Sequence, residues 1–245
     1  MPRLAPMELS PTAVSTSNLW ASARGCFLFR ELDERELREV LPLCSMVRLE
    51  RGQHLWRSGD EARSFHVLVR GLVELCQASG SYDTTSMAFF GPRECPAVPV
   101  VLSRRTYGAD AVVVSDDALV LSVQAEPILT RMPRDARLAM AVNRALLAQM
   151  RLLHGKIDVM TAGTVRQRLA LFLLNLADRF GDELESGETV IPFALSRQQV
   201  ATYVNARVET VIRALSVWRK SGLVELGRDR IVLPDTASLR HSLAV

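Results

Sequence analysis

Lysine is scarce in this chain of 245 residues, because only two of its 30 basic residues are lysines and the rest are arginines. Acidic residues reduce the net charge to +3, so no overall basic excess indicates a nucleic-acid partner. Long apolar runs are also missing: no charge-free stretch approaches the roughly 18–20 residues that span a bilayer. The N-terminal segment has no apolar core followed by a small-residue cleavage site, which argues against a secretory signal. We therefore expect a cytoplasmic protein with no membrane partner.

Cysteine and histidine are also sparse, with four of each. The cysteines form no CxxC pair, so their spacing gives no support for a zinc or iron–sulfur site, and we expect buried, reduced thiols. The chain contains no Walker A, GxSxG or HExxH motif and no Asp, His or Cys group with catalytic spacing. These absences argue against an enzyme. The cysteines are Cys26, Cys44, Cys76 and Cys95.

Hydrophobic residues make up 48% of the chain, enough for a substantial core, and the sequence pattern divides it into four parts. Residues 1–19 are rich in Pro, Ser and Thr and are predicted to be disordered. Residues 20–134 begin with a helix that Asp33 and Glu36 cap. Short β-type runs with glycine turns follow over residues 46–123 and predict a small antiparallel roll or barrel. The turn signals stand at Gly52, Gly59, Gly71, Gly80 and Gly91.

The third part, residues 135–160, is predicted to be one long helix of good helix formers. About 26 residues at 1.5 Å each give a length of ~39 Å, more than the core of a small domain needs. The apolar positions recur near heptad spacing, so the expected partner is the same helix in a second copy of the chain. The alternative is a helix packed within its own chain. The predicted dimer-interface residues are Leu138, Val142, Ala145, Gln149 and Leu152.

The fourth part, residues 161–245, begins with a candidate hinge at 161–163. An amphipathic helix follows, then the acidic segment DELESGE, predicted to be an exposed loop, and then two helices joined by a tight turn. Ser196, with Gln199 three residues on, predicts a capping box at the first helix of this pair, and Asn205 tolerates the left-handed backbone of the turn. With its second helix over about 207–221, this pattern predicts a helix-turn-helix.

The helix-turn-helix lies in a locally basic region, because residues 196–230 carry seven basic residues against three acidic ones, a local charge of +4. A β-hairpin turned at 227–229 is predicted next, which makes the unit a winged helix. In this motif the N-terminal end of the second helix enters the DNA major groove. Glu209 and Arg213 share a face there, where they can bind cytosine and guanine. The alternative is an ordinary surface ion pair.

The order of a glycine-punctuated roll, one long helix and a winged helix resembles the CRP/FNR family of bacterial transcription regulators over residues 26–235. The most specific segments are LSRQQVATYVNARVETVIRAL and SGLVEL, while RGQHLWRSGD and FHVLVRGLVEL resemble the family's roll. The resemblance implies an α+β fold with an N-terminal antiparallel β-roll of the cyclic-nucleotide-binding, jelly-roll type. It also implies a homodimer on a palindromic promoter site in double-stranded DNA, acting with RNA polymerase.

Matched residue by residue, the resemblance implies that Glu209 and Arg213 distinguish a G·C pair. Val208 stands where CRP-type members have arginine and is more similar to the FNR type. Ile212 departs from the serine found there in FNR itself, so the flanking bases are not predicted. The implied DNA-binding residues are Ser196, Arg197, Gln198, Arg207, Val208, Glu209 and Arg213.

The sensor is where the sequence departs most from the family. Members that bind a cyclic nucleotide hold its phosphate with a Gly-Glu pair, an Arg and a Ser or Thr. Here Arg93 stands where a glycine is expected, and Pro92 and Pro96 lack the backbone N–H that a phosphate would use. Ordinary cyclic AMP binding is therefore not expected. The candidate effector-binding residues are Arg93, Glu94, Cys95, Arg105 and Thr106.

Haem is a different sensor group that the resemblance implies, because some members are haem-based gas sensors. Cys95 falls near the thiolate ligand of a carbon-monoxide-sensing member, and Pro2 is similar to its N-terminal proline ligand. An FNR-type iron–sulfur cluster needs several N-terminal cysteines, and only Cys26 is present. A sensor without any cofactor is also consistent with the sequence, as is a ligand-binding module that does not bind DNA. The candidate histidine ligands are His66, His54 and His154.

Overall fold

The computed structural model describes residues 16–79, 83–241 and 243. Its helices are α1 (Thr16–Gly25), α2 (Glu34–Val40), α3 (Val98–Leu102), α4 (Ala125–Arg131), α5 (Ala136–Thr161), α6 (Val165–Phe180), α7 (Arg197–Tyr203), α8 (Val208–Lys220) and α9 (Thr236–His241). Its strands are β1 (Cys44–Glu50), β2 (His54–Trp56), β3 (Ser64–Arg70), β4 (Val73–Ser79), β5 (Asp83–Phe90), β6 (Asp110–Val113), β7 (Asp117–Gln124), β8 (Asp182–Glu183), β9 (Thr189–Ile191), β10 (Glu225–Leu226) and β11 (Ile231–Leu233).

The first seven strands form the predicted roll. They make two antiparallel sheets, ordered β1-β7-β3 and β2-β6-β4-β5, around one apolar core. Gly71 joins β3 to β4 with φ +87°, and the Cβ of any side chain there would collide with the carbonyl oxygen of Asp117. Only glycine tolerates both conditions, so this turn signal marks a position where two loops meet closely. Gly80, another predicted turn, lies outside the described residues.

Stacked aromatic rings fill part of the roll. Trp56 lies between Tyr107, at 4.1 Å between ring centroids, and His66, at 5.4 Å. Nδ1 of His66 is 2.8 Å from Oγ of Ser122 on the neighbouring strand, so the ring is held by both packing and a hydrogen bond. Burial lowers the pKa of His66 to about 4, because the imidazolium form would lose its hydration.

The helix α1 begins inside the segment 1–19, which the sequence predicts to be mostly disordered. It begins at Thr16, and Leu19 and Trp20 pack against the core of the roll while Ala23 is fully buried. Leu19, Trp20 and Ala23 share one face of this helix, and burial against the roll stabilises it. Residues 1–15 lie outside the described part of the chain.

The long helix α5 begins after the N-cap Asp135, whose side chain accepts a hydrogen bond from the backbone N–H of Arg137. One face of α5 is buried within its own chain: Leu138 and Val142 are almost fully buried, and Ala145 and Leu152 pack against the roll core. In the single chain these residues, predicted for the dimer interface, pack against their own roll, because the apolar repeat contains two stripes and the roll covers this one. The exposed stripe consists of Met140, Leu147, Met150, Leu153 and Ile157.

The C-terminal part has the predicted winged-helix form. The helices α6, α7 and α8 enclose a second apolar core beside a four-stranded antiparallel sheet ordered β10-β11-β9-β8. The acidic segment predicted as a loop instead starts with β8, which pairs with β9, because Asp182 and Glu183 lie opposite Val190 and Thr189. The loop prediction holds only for the turn between these strands.

The two parts share a boundary that is itself part of a core. Leu72, Phe89 and Val114 belong to the roll but pack in the second core with α6 and α7. The Phe172 ring lies 4.5 Å from the ring of Tyr203 and 6.0 Å from that of Phe89. The roll thus fixes the position of the winged helix in this structure. In the described part of the chain, no helix combines the length and apolarity that crossing a membrane requires.

Candidate DNA-binding surface and sensor cavity

The helix-turn-helix forms as the local sequence predicts. Ser196 Oγ accepts from the backbone N–H of Gln199 at 3.1 Å, and Gln199 Oε1 accepts from the backbone N–H of Ser196 at 2.8 Å. This reciprocal pair is the predicted capping box. Asn205 takes the left-handed conformation with φ +50°, which turns the chain from α7 into α8. The helix α8 then packs on α6 and α7 through Val211, Leu215 and other apolar residues.

The outer face of α8 carries the predicted base-reading residues. Arg207 is the exposed N-cap, and Glu209 and Arg213 are exposed one turn apart. Ile212 is 44% exposed between them, while Val208 is half-buried against the second core. Two opposite charges and one apolar side chain therefore lie together at the N-terminal end of a helix, an arrangement suited to hydrogen bonding and methyl contacts in a major groove.

Three of the implied DNA-binding residues, Ser196, Arg197 and Gln198, lie at the start of α7. The hydroxyl of Ser196 is engaged in the cap, and Gln198 is exposed with its Nε2 3.4 Å from Oγ1 of Thr202. Burial and the positive charge of Arg219 lower the pKa of Arg197. Two guanidinium groups that repel each other favour an anion between or beside them, which suits a DNA phosphate.

Two cations that the sequence pattern did not assign to the site hold the turn of the helix-turn-helix. Lys156 of α5 donates to the carbonyl of Tyr203 at 2.5 Å and to that of Ser86 at 3.1 Å. Arg168 of α6 donates to the carbonyl of Asn205 at 3.0 Å. Cations at the C-terminal end of a helix bind its free carbonyls and suit its dipole. The scarcity of lysine was the one signal that could have drawn attention to Lys156.

A polar cluster surrounds Lys156 where α5, the roll and α7 meet. Gln199 Nε2 donates to Glu74 Oε2 at 3.4 Å, which links α7 to β4. Burial raises the pKa of Glu74, opposed by the hydrogen bond from Gln199 and by the charge of Lys156. Burial likewise lowers the pKa of Lys156 to about 8, opposed by Glu74. Each charge therefore stabilises the charged form of the other in a site that is partly shielded from water.

A cavity of about 170 Å³ lies between the roll and α5. Of the predicted effector residues, Arg93, Glu94 and Cys95 line it. Arg105 and Thr106 line a different groove beside α4, so the structure does not bring the five together. The remaining walls are mostly apolar with arginines at the rim, and consist of Phe27, Arg30, Phe90, Arg144, Ala145, Ala148, Gln149 and Leu152.

The lining does not fit the phosphate of a cyclic nucleotide. Glu94 is already bound to Arg179 of α6, at 2.7 Å between Oε2 and Nη2. Arg93 takes φ +70°, a conformation that favours glycine, and the flanking prolines offer no backbone N–H. Gln149 has a buried Oε1 with no hydrogen-bond partner in the described part of the chain, an acceptor that a phosphate oxygen cannot satisfy. Gln149, which the sequence predicts at the dimer interface, lines this cavity in the single chain.

The candidate haem ligands are dispersed. Cys95 is buried, and burial raises the pKa of its thiol far above the usual range, which disfavours the thiolate. His66 is held inside the roll by Ser122 and Trp56, and Nε2 of His54 lies 3.7 Å from Asp110. Pro2 lies outside the described residues. Within the described ranges, no three His, Cys, Asp or Glu side chains are grouped to hold a metal ion.

Family models match both the roll and the C-terminal part of the chain. A family model for the Crp-like helix-turn-helix domain matches residues 167–242, and one for the cyclic nucleotide-binding domain matches residues 46–135. The structure of FixK2 from Bradyrhizobium japonicum superposes with a TM-score of 0.71 at 19% identity, over 81% of this chain and 96% of that one. This likeness supports the fold.

Two curated relatives are similar over nearly their full lengths. The nitrogen fixation regulation protein FixK of Azorhizobium caulinodans is 26% identical over 227 residues, 92% of this chain and 89% of that protein. The global nitrogen regulator of Synechococcus elongatus is 27% identical over 221 residues, 89% of this chain and 96% of that protein. Both are named as regulators and not as enzymes. The chain therefore belongs to the CRP/FNR family of transcription regulators, with a helix-turn-helix DNA-binding domain.

Proposed function

We propose that this regulator works as a homodimer that binds a palindromic promoter site under the control of a small molecule sensed between the roll and α5. The observation that carries the proposal is that the same chain exposes both the recognition helix α8 and an apolar stripe on α5. Because its proposed partner is DNA, we expect the protein in the cytoplasm. Binding at a promoter also implies contact with RNA polymerase.

The stripe on α5 supports dimerisation. Met140, Leu147, Met150 and Ile157 are spaced by seven, three and seven residues and are each 51–55% exposed in the single chain. A heptad seam of this kind pairs with its own copy, because the exposed apolar side chains leave water by interdigitating. A two-fold dimer presents two recognition helices about 34 Å apart, one turn of DNA, which is why the site is expected to be a palindrome.

Glu209 and Arg213 are the residues proposed to contact bases directly. Each is exposed on α8 without an ion-pair partner among the described residues, so neither loses an internal contact on meeting DNA. A carboxylate accepts from cytosine N4 and a guanidinium donates to guanine O6 and N7, which together distinguish a G·C pair. Arg197, Gln198 and Arg207 flank this pair at positions suited to phosphates.

The cavity supports a small effector with an apolar body. Its volume of about 170 Å³ is close to cavities that hold a benzene-sized molecule and far below the size of a porphyrin. The lone acceptor of Gln149 favours a ligand with a hydrogen-bond donor, and the arginine rim favours a negative or polar end. The volume disfavours haem, and the positive φ of Arg93 together with the engaged carboxylate of Glu94 disfavours a cyclic nucleotide.

Selection of duplexes from a random pool by the purified chain tests the proposal. The expected result is a palindrome with a G·C pair in each half-site and an affinity that falls steeply with salt. A chain that binds no duplex in any salt, yet shifts its melting temperature with small molecules, would instead be a ligand-binding module. A visible absorption band that changes with carbon monoxide would restore haem as the candidate sensor group.

A further inference from the structure

The loop of residues 91–97 between β5 and α3 separates the cavity from the winged helix. Arg93, Glu94 and Cys95 line the cavity from this loop. Its backbone is fixed to β3, because the N–H of Arg93 donates to the carbonyl of Leu68 at 2.7 Å and the N–H of Leu68 donates to the carbonyl of Glu94 at 2.9 Å. Arg93 and Ala97 both have positive φ, at 70° and 59°. The loop is thus held in one shape that a contact on its cavity side would disturb.

The Glu94 carboxylate connects this loop to α6. It accepts from Nε of Arg179 at 3.1 Å and from Nη2 at 2.7 Å, and also from the backbone N–H of Gly91 at 2.9 Å. Arg179 Nη2 donates further to the carbonyl of Phe89 at 2.5 Å. Both side chains are mostly buried, at 24% and 21% exposure, so this two-pronged pair is worth more than a surface ion pair.

The end of α6 is packed so closely that it must move with the loop. A side chain at Gly91 would place its Cβ 2.5 Å from Cε1 of Phe180, so the ring of Phe180 lies directly on the loop backbone. The guanidinium of Arg179 in turn lies 4.4 Å from the centre of that ring. The same helix carries Phe172 and Leu173 into the core that supports α7 and α8. A displacement of Glu94 therefore has a rigid route to the recognition helix.

We propose that the Glu94–Arg179 ion pair is the link through which an occupant of the cavity changes the position of the helix-turn-helix. The inference rests on the proposed sensor function of that cavity. Among the described residues that line it, Glu94 is the only acid, and Arg30, Arg93 and Arg144 are its cations. A bound molecule acts on the pair by competing for these charges or by pushing on the loop, and it shifts the equilibrium by its different affinity for the two arrangements.

Charge reversal tests whether the pair itself forms the link. In the full chain, Glu94→Gln or Arg179→Gln is expected to raise hydrogen exchange about tenfold or more at the loop and at the end of α6. The swap Glu94→Arg with Arg179→Glu should restore part of the protection, because it rebuilds the ion pair but not the bonds of the parent side chains to the Gly91 N–H and the Phe89 carbonyl. The matched control removes the exposed Asp178–Arg240 pair of the same helix turn by Asp178→Asn. Equal effects of the control, or no effect of either single variant, would overturn the proposal.

Filling the cavity tests transmission. Ala145 lines it from α5, so Ala145→Leu and the larger Ala145→Phe stand in for an occupant. Each is expected to change affinity for a duplex selected by the parent chain about tenfold, and by less than about twofold once Arg179→Gln is present. The same change in both backgrounds would overturn the link and favour transmission along α5. No change in either background would also overturn the link.

Failure of the proposed function is distinguishable from failure of this link. If the parent chain binds no duplex, the proposed function as a DNA-binding regulator fails. Hydrogen exchange at residues 172–180 then replaces DNA affinity as the readout. Ala145→Leu must then change that exchange in the parent and not in the Arg179→Gln background. Circular dichroism checks that each variant is folded, and the smaller Leu substitution is retained if Phe is not tolerated.

Discussion

The ammonium nitrogen of Lys156 lies 3.6 Å from the centre of the Tyr203 ring and donates to the carbonyl oxygen of the same residue. The third contact of that ammonium, with the carbonyl of Ser86, brings β5 of the roll to the same point. A lysine suits this position because it presents a compact charge with three rotatable donors, whereas the planar guanidinium of arginine needs a flat, forked acceptor. In a chain with only two lysines, Lys156 is the cation that joins the roll, the long helix and the DNA-binding unit.

Replacing Lys156 by Met is expected to lower the free energy of unfolding by ~1–3 kcal/mol, because the buried carbonyls of Ser86 and Tyr203 lose a charged donor. DNA affinity should fall further than stability alone explains, since the end of α7 loses its anchor. Urea denaturation and duplex binding measure the two effects. Lys220→Met, at the exposed end of α8, is the matched control. A Lys156→Arg variant that behaves like the parent would contradict the geometric argument for lysine.

A second prediction concerns pH and His66. Its folded-state pKa of about 4 lies below the ordinary value of 6.5, so the unfolded chain binds a proton more readily than the folded one. The stability that the neutral His66 ring contributes is therefore fully present above pH 6.5. It declines by roughly 2–3 kcal/mol as the pH falls towards about 4. The melting temperature measured from pH 7 to 4 follows the decline.

The variant His66→Gln isolates this contribution, because an amide can still bond to Ser122 but cannot take up a proton. It should flatten the pH dependence by the amount that His66 contributes, and His154→Gln, on the exposed face of α5, is the matched control for the loss of a histidine. An unchanged slope in His66→Gln would mean that the ring is hydrated in the folded protein.

Local features of the fold were predictable from sequence, because they depend on neighbours in the chain. The capping boxes at Asp33 and Ser196 and the left-handed turn at Asn205 each involve residues no more than three apart. The face that α5 presents to the roll was not predictable, since two apolar stripes with similar spacing compete and only tertiary packing distinguishes them. The contacts of Lys156 and Arg179 join residues 47 to 90 positions apart and leave no pattern in the sequence.

Base readout gives a third prediction. Glu209→Ala or Arg213→Ala should relax discrimination at one G·C pair of each half-site by roughly 1–3 kcal/mol, while binding to other sequences changes little. Competition between duplexes that differ only at that pair measures the effect. Glu225→Ala, an exposed acid in the wing strand β10, serves as the control for lost negative charge. A uniform loss of affinity on all duplexes would show that the two residues contact phosphates or support the fold.

The last prediction concerns the exposed stripe of α5. Leu147→Glu and Ile157→Glu should each convert the dimer to a monomer at micromolar concentration, because a carboxylate in a heptad seam loses hydration without gaining a partner. The folded monomer should survive, since both side chains are about half exposed and the buried face of α5 is untouched. Sedimentation velocity measures the change in mass, and affinity for the palindrome should fall in parallel because the two half-sites are then bound independently.

Two controls show whether dissociation depends on this face of α5. Leu184→Glu makes the same chemical change at a leucine that is 46% exposed in the β8–β9 turn, and it should leave the dimer intact. Val142→Ala, on the face that packs against the roll, should lower stability by leaving a cavity in the core without changing the mass of the assembly. If Val142→Ala dissociated the dimer and Leu147→Glu did not, the interface would lie on the face predicted from the sequence, and the packing of α5 against its own roll would have to give way in the dimer.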